Sequence, residues 1–140
     1  MSEMLEFGRQ VLAAQPFSLL LGTELIRFEK GQAELHLILK PEHLQQHGFA
    51  HGGVVAYLAD NALTYAGGSV LGNVLTQEMK INYTRPATGE ALIARAEVVS
   101  SGRSQAVCRC DVFAVSGDQE KLCAAAQGTI VPVPDRPNPV

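Results

Sequence analysis

Thirteen residues, Val54 to Ala66 (VVAYLADNALTYA), constrain this chain more than any other segment. The run is too long and too Ala-rich for a strand. Glycine pairs bracket it, Gly52-Gly53 before and Gly67-Gly68 after, which is the punctuation of a helix. Only Asp60, Asn61 and Thr64 are polar apart from the tyrosines. A helix apolar on most sides must be wrapped by other structure. The flanking sequence supplies strands for the wrapping. Ala33, Leu35, Leu37 and Leu39 alternate with Glu34, His36, Ile38 and Lys40. Leu75, Gln77, Met79, Ile81 and Tyr83 alternate with Thr76, Glu78, Lys80 and Asn82 until Arg85-Pro86 ends the strand. Segments 90–99, 105–115 and 122–131, joined by turns at 101–104 and 116–118, predict an antiparallel meander. Upstream, Leu5 to Ala14 predicts a short helix closed by Pro16. The expected class is α+β, an antiparallel sheet curled around one central helix.

At 140 residues the chain is the size of one domain. We place that domain at 1–131 and expect the remainder, with four prolines in residues 132–140, not to continue a sheet. A net charge of −3 without charge blocks predicts no nucleic-acid partner. The apolar runs are too short for a bilayer span, so no membrane association is expected. The start MSEMLEFGRQ lacks the basic opening and apolar stretch of a secretion signal, which predicts a cytoplasmic protein. Cys108, Cys110 and Cys123 are an odd set with no disulfide framework, and are expected to pack as small hydrophobes.

Chemistry concentrates between Gln45 and Asp60. Gly52-Gly53 stands where a loop becomes a helix, so unpaired N–H groups and the positive end of the helix dipole face outward, an arrangement suited to a developing oxyanion. Asp60 lies on an otherwise apolar helix, where a carboxylate is costly unless it is paired, protonated or functional. From His51 to Asp60 the helix rises about 13–14 Å and turns through roughly half a turn beyond its full turns. One helix cannot easily aim both groups at one atom. If both serve one reaction, the partners come from two copies of the chain related by a two-fold axis. The spacing His43-x3-His47-x3-His51 would suit a metal on one helix, but Pro41, Gly48 and Gly52-Gly53 argue against such a helix, and no metal is expected.

His51-Gly52-Gly53 followed by Asp60, with Thr76 to Tyr83 and Arg85-Pro86 beyond, resembles the hotdog-fold acyl-CoA thioesterases. The branch it looks most like is the phenylacetate-pathway type, whose helix carries Asp where a sister branch carries Glu. The likeness spans roughly residues 18 to 131. It implies that Asp60 attacks a thioester carbonyl as nucleophile or acts as general base for water, and that the Gly52 N–H is the oxyanion donor. It further implies that Gln45 orients the nucleophile or water, that His51 fixes the loop or the thioester, and that Thr76 brings a hydroxyl near the carboxylate. Gly53 and Asn61 fall at substrate-binding positions, and Asn82, Arg85 and the turn Gly102-Arg103-Ser104 at positions that touch the coenzyme A moiety. Coenzyme A is then part of the substrate and no cofactor is implied. The partner implied is a second copy of the chain, in a dimer with Gly52 and Gln45 on one subunit and Asp60 and Thr76 on the other, with two dimers forming a homotetramer. A hydratase or dehydratase on acyl-CoA, and a non-catalytic acyl-CoA sensor, are the competing readings; the layout from His51 to Asp60 disfavours the first, and retention of Asp60 argues against the second.

Overall fold

The computed structural model describes residues 2–134. Two short helices, α1 (Glu3–Ala13) and α2 (Pro16–Leu21), precede β1 (Thr23–Glu29) and β2 (Gln32–Ile38). A long helix, α3 (Gly52–Leu71), follows, and then β3 (Val74–Tyr83), β4 (Ala91–Ser101), β5 (Ala106–Ser116) and β6 (Gln119–Pro132). The six strands form one antiparallel sheet in the order β1-β2-β4-β5-β6-β3. The expected meander is β4-β5-β6, and α3 packs against every strand of the sheet. This is the hotdog fold. Among the described residues no helix is long and apolar enough to cross a membrane. Residues 135–140 of the proline-rich tail lie outside the described residues; Pro132 itself ends β6, paired with Val74.

The core sits between α3 and the concave face of the sheet. Leu58, Ala59, Ala62, Leu63 and Ala66 on the helix are fully buried, as are Leu35, Leu37, Leu92, Val112 and Ile130 on the strands. Each buried Leu or Ile contributes about 1.5–3 kcal/mol relative to an exposed one. The cysteines behave as expected, reduced and buried. Burial pushes the thiols of Cys108 and Cys123 up to about 11, so neither is a ready nucleophile. On the other face of the sheet Arg95 bridges Glu34 and Glu120 and lies over the Phe113 ring. It is a paired surface residue.

Three local expectations are corrected. Pro16 does not close the first helix, which ends at Ala13; it opens the second, where its missing N–H is harmless. The central helix does not stop at Gly67-Gly68 but continues to Leu71. Gly67 is there for clearance: a Cβ would stand 2.6 Å from Cγ2 of Ile130, so helix and sheet can approach only over a bare backbone.

The third correction concerns β3. Simple alternation sends Leu75 inward with Met79 and Ile81 and sends Thr76 outward. The ladder with β6 instead slips between Thr76, opposite Ile130, and Glu78, opposite Thr129. Gln77 is thus an extra residue in a β-bulge. Val74, Thr76, Met79 and Ile81 are half-buried, whereas Leu75 is 55% exposed. Gly128 makes room for the bulge, since a Cβ on it would stand 2.8 Å from the Glu78 carbonyl oxygen. Gly128→Ala should therefore destabilise the fold by about 1–3 kcal/mol through overpacking. A denaturant midpoint equal to that of the parent would show that the bulge does not depend on this clearance.

Candidate active site

The loop from Leu44 to Ala50, closed by a bridge between those two residues, delivers the chain to the start of α3. Gln45 holds the loop in shape: its Oε1 accepts from the N–H of His47 at 2.6 Å and of Phe49 at 3.3 Å. The carboxamide oxygen is spent, which leaves the Nε2 end as the donor available to a ligand. His51 is the N-cap of α3. Its Nδ1 accepts from the Gly53 N–H at 2.8 Å, and its carbonyl accepts from Val54 and Val55. Gly53 therefore has no N–H to offer a substrate. The Gly52 N–H alone in this first turn makes no bond to the described residues. That N–H is the outward-facing donor at the positive end of a 20-residue helix.

Gly52 and Gln45 share the wall of a cavity of about 560 Å³ with Phe49, Tyr83 and Arg85. Tyr83 went unremarked as a site residue in the sequence; its hydroxyl donates to the Gly52 carbonyl at 3.1 Å. Arg85 is exposed and brings a guanidinium to the same cavity. The three histidines do not share a helix face. His43 ends a 3₁₀ turn, is buried, and accepts the Lys40 N–H on Nδ1; His47 is in the loop; His51 is the cap.

Asp60 lies further along α3. Thr76 Oγ1 donates to its Oδ1 at 2.5 Å, a contact the bulge allows by absorbing Gln77 and leaving Thr76 turned toward the helix. Thr64 extends the arrangement: its Oγ1 donates to the Asp60 carbonyl at 2.8 Å and lies 3.0 Å from Thr76 Oγ1. Thr64 was legible as a neighbour, since residues four apart share one helix face, but it was not singled out as a site residue. Asn61 faces elsewhere. Its Nδ2 donates to Gln15, Ser18 and Tyr57 in a polar cluster that ties the start of α2 to the central helix.

Within one chain, then, the structure brings Gly52, Gln45, His51 and Arg85 together at the helix start, and Asp60, Thr64 and Thr76 together near its middle. From Gly52 to Asp60 the helix rises about 12 Å, and the cavity lined by Gly52, Gln45 and Arg85 is lined by none of Asp60, Thr64 and Thr76. Asn82 is exposed near the end of β3. Gly102, Arg103 and Ser104 form the exposed turn after β4. That turn lies at the Thr76 end of the sheet, because Ser101 pairs with Ala106, Ala106 with Ile130 and Ile130 with Thr76. It is therefore remote from Arg85 in the same chain.

Comparison with known proteins gives consistent results. The sequence profile of the thioesterase superfamily matches residues 47–121. A protein described as a putative esterase from Archaeoglobus fulgidus is 33% identical over 112 residues, covering 79% of this chain and 71% of that protein. The medium/long-chain acyl-CoA thioesterase YigI of Escherichia coli is 28% identical over 144 residues, covering 87% of this chain and 88% of that protein. The crystal structure of a thioesterase family protein from Silicibacter pomeroyi superposes with a TM-score of 0.85 at 35% identity, covering 88% of this chain and 93% of that one.

Proposed function

The chain belongs to the thioesterase superfamily and is an enzyme of that thioester-hydrolysing class, and from that premise we propose that it hydrolyses an acyl-CoA thioester, aryl or medium-chain, to the free acid and coenzyme A. The observation that carries the reading is a carboxylate, Asp60, fixed by a hydroxyl on a helix whose first N–H, that of Gly52, is unspent. Attack comes from Asp60 itself or from a water whose proton Asp60 takes. A carbon–oxygen bond forms at the thioester carbonyl, whose oxygen becomes an anion held by the Gly52 N–H. Collapse breaks the carbon–sulfur bond; the thiolate takes its proton from Asp60 in the water route and from solvent in the direct route, where water then hydrolyses the acyl–Asp60 anhydride to release the free acid and restore the carboxylate. Removing one such oxyanion donor typically slows turnover about 100-fold to 1000-fold. Thr76 and Thr64 position the carboxylate, His51 shapes the helix start, and Gln45 offers its Nε2 donor toward the attacking group.

The site is completed by a second copy of the chain, with Gly52 and Gln45 from one subunit and Asp60 and Thr76 from the other, and two such dimers make a homotetramer. Two features support this reading. The donor and the carboxylate are about two turns apart on one rigid helix, and β3, which carries Thr76, is an edge strand with no partner on its outer side among the described residues. A free edge of ten residues invites strand pairing. Arg85 and Asn82 of one subunit, with the turn Gly102-Arg103-Ser104 of the other, are offered to the phosphates and nucleotide of coenzyme A, since the guanidinium fork suits phosphate. The test is free-thiol release from phenylacetyl-, benzoyl-, hexanoyl-, decanoyl- and palmitoyl-CoA. Turnover of at least one is expected. No turnover of any, with tight ester binding retained, would overturn hydrolysis in favour of a sensor.

A further inference from the structure

We propose that the groove between α1 and α3 holds the acyl chain of the substrate, and that Phe7 and Val11 of α1 set which chain length is accepted. The inference rests on the thioesterase reading and adds the substrate class and the element that measures it. The groove encloses about 380 Å³. Its walls are two helix faces at helical spacing: Phe7 and Val11 on α1, and Asn61, Thr64 or Tyr65, and Gly68 on α3. Phe28 and Val74 close its sides.

Three observations lead from this groove to an acyl chain. First, Thr64 belongs both to its wall and to the hydroxyl pair at Asp60, so the groove lies one helix turn from the carboxylate, with the Thr64 side chain between them. Second, apart from Asn73 at its far end, the polar side chains along it are already bonded within the protein. Tyr65 donates to the Gly8 carbonyl at 2.8 Å, Asn61 Nδ2 is shared with Gln15 Oε1 at 3.1 Å, and Thr64 is bonded at Asp60. What remains for a ligand is mainly aromatic and aliphatic surface, which suits a chain without polar substituents. Third, the groove is long. From Thr64 to Gly72 the helix advances about 12 Å, more than one aromatic ring fills, which favours a straight medium chain over a benzoyl or phenylacetyl group.

The outer wall is fixed, as a measuring wall must be. A Cβ at Gly8 would stand 2.6 Å from Phe28 and 2.7 Å from Leu25, so α1 lies directly on β1. Leu12 is buried beneath it, and Arg9 Nε donates to the Leu25 carbonyl at 3.0 Å. With Gly8 and Leu12 turned to the sheet, Phe7 and Val11 are left at the groove, 60% and 38% exposed. Substitutions at these two positions therefore alter the groove with little effect on the core.

The test compares the parent protein with Val11→Trp, which narrows the groove, and Phe7→Ala, which opens it. Each is assayed for kcat/KM on hexanoyl-, octanoyl-, decanoyl-, palmitoyl- and phenylacetyl-CoA, with the fold verified by circular dichroism. The parent should prefer a straight chain to phenylacetyl. Val11→Trp should lower kcat/KM for decanoyl-CoA about tenfold or more, with hexanoyl-CoA nearly unchanged, because each excluded methylene carries about 1 kcal/mol or more of discrimination. Phe7→Ala should move the preference toward longer chains. A chain-length profile common to all three active proteins, or a parent preference for phenylacetyl, would overturn the proposal and leave the thioesterase reading standing. Calorimetric binding of decyl-CoA, a thioether that cannot be hydrolysed, separates the two. If the parent hydrolyses nothing, weaker decyl-CoA binding by Val11→Trp upholds the groove, and unchanged binding overturns it.

Discussion

Asp60→Asn should lower thiol release from acyl-CoA about 100-fold to 10,000-fold, the range for loss of a positioned acid–base group. Asn is the informative replacement because it keeps the shape of the side chain and an oxygen that can still accept from Thr76 Oγ1. What it removes is the negative charge, and with it the capacity to attack a carbonyl or take a proton from water. The fold should not suffer. Asp60 is only half-buried, and its helix owes its place to Leu58, Ala59, Ala62 and Leu63, all fully buried around it. A charge on an apolar helix is costly to hold, so the variant should be at least as stable as the parent while losing turnover. The measurements are thiol release beside size-exclusion elution and a denaturant midpoint. Undiminished hydrolysis in the pure variant would remove Asp60 from the reaction.

The second large effect comes from mixing two inactive proteins. Gly52→Pro should fold, because Gly52 is the first residue of α3, where proline is well tolerated and only the N–H is lost. Alone it should lose about 100-fold to 1000-fold of turnover, and Asp60→Ala should be at least as impaired. After subunit exchange, random pairing makes half of the dimers mixed, and in each of these one of two sites unites an intact Gly52 with an intact Asp60. Activity should therefore return to about a quarter of the parent level for a two-fold symmetric dimer. Proven exchange, for example by mass spectrometry of tagged subunits, without any recovery would show that the site is not shared.

The parts of this protein that follow local rules were legible in the sequence. Period-two alternation marked β2, and tight turns marked the β4-β5-β6 meander. The mostly apolar character of 54–66 marked the buried helix, and its placement against the whole sheet followed from its having so little polar surface to expose. What escaped depends on contacts between residues distant in sequence. Gly67 looked like a helix stop because its real reason, Ile130, is on β6. The bulge at Gln77 was hidden because the clearance that permits it is at Gly128. The partners of the Asn61 amide were hidden for the same reason, since Gln15 and Ser18 are more than forty residues away. In the site, the chemical types were legible at Asp60, Gly52 and Gln45, and helical rise alone separated the donor from the acid.

The bulge also decides how this chain must be counted against its relatives. Up to Thr76 the even-numbered residues of β3 face the helix; from Met79 onward the odd-numbered ones do. A sequence lacking Gln77 would run as an unbroken strand and still present the same hydroxyl to the same carboxylate, so that gap would be silent for the site. Straightening the strand with Gln77 retained, and the register held from Glu78 onward, would put Gln77 opposite Ile130 and turn Thr76 away from Asp60. Against a sequence lacking Gln77, equivalence of positions has to be counted forward from Asp60, sixteen residues to Thr76, because counting back from Arg85-Pro86 lands one residue away, on the wrong side of the sheet.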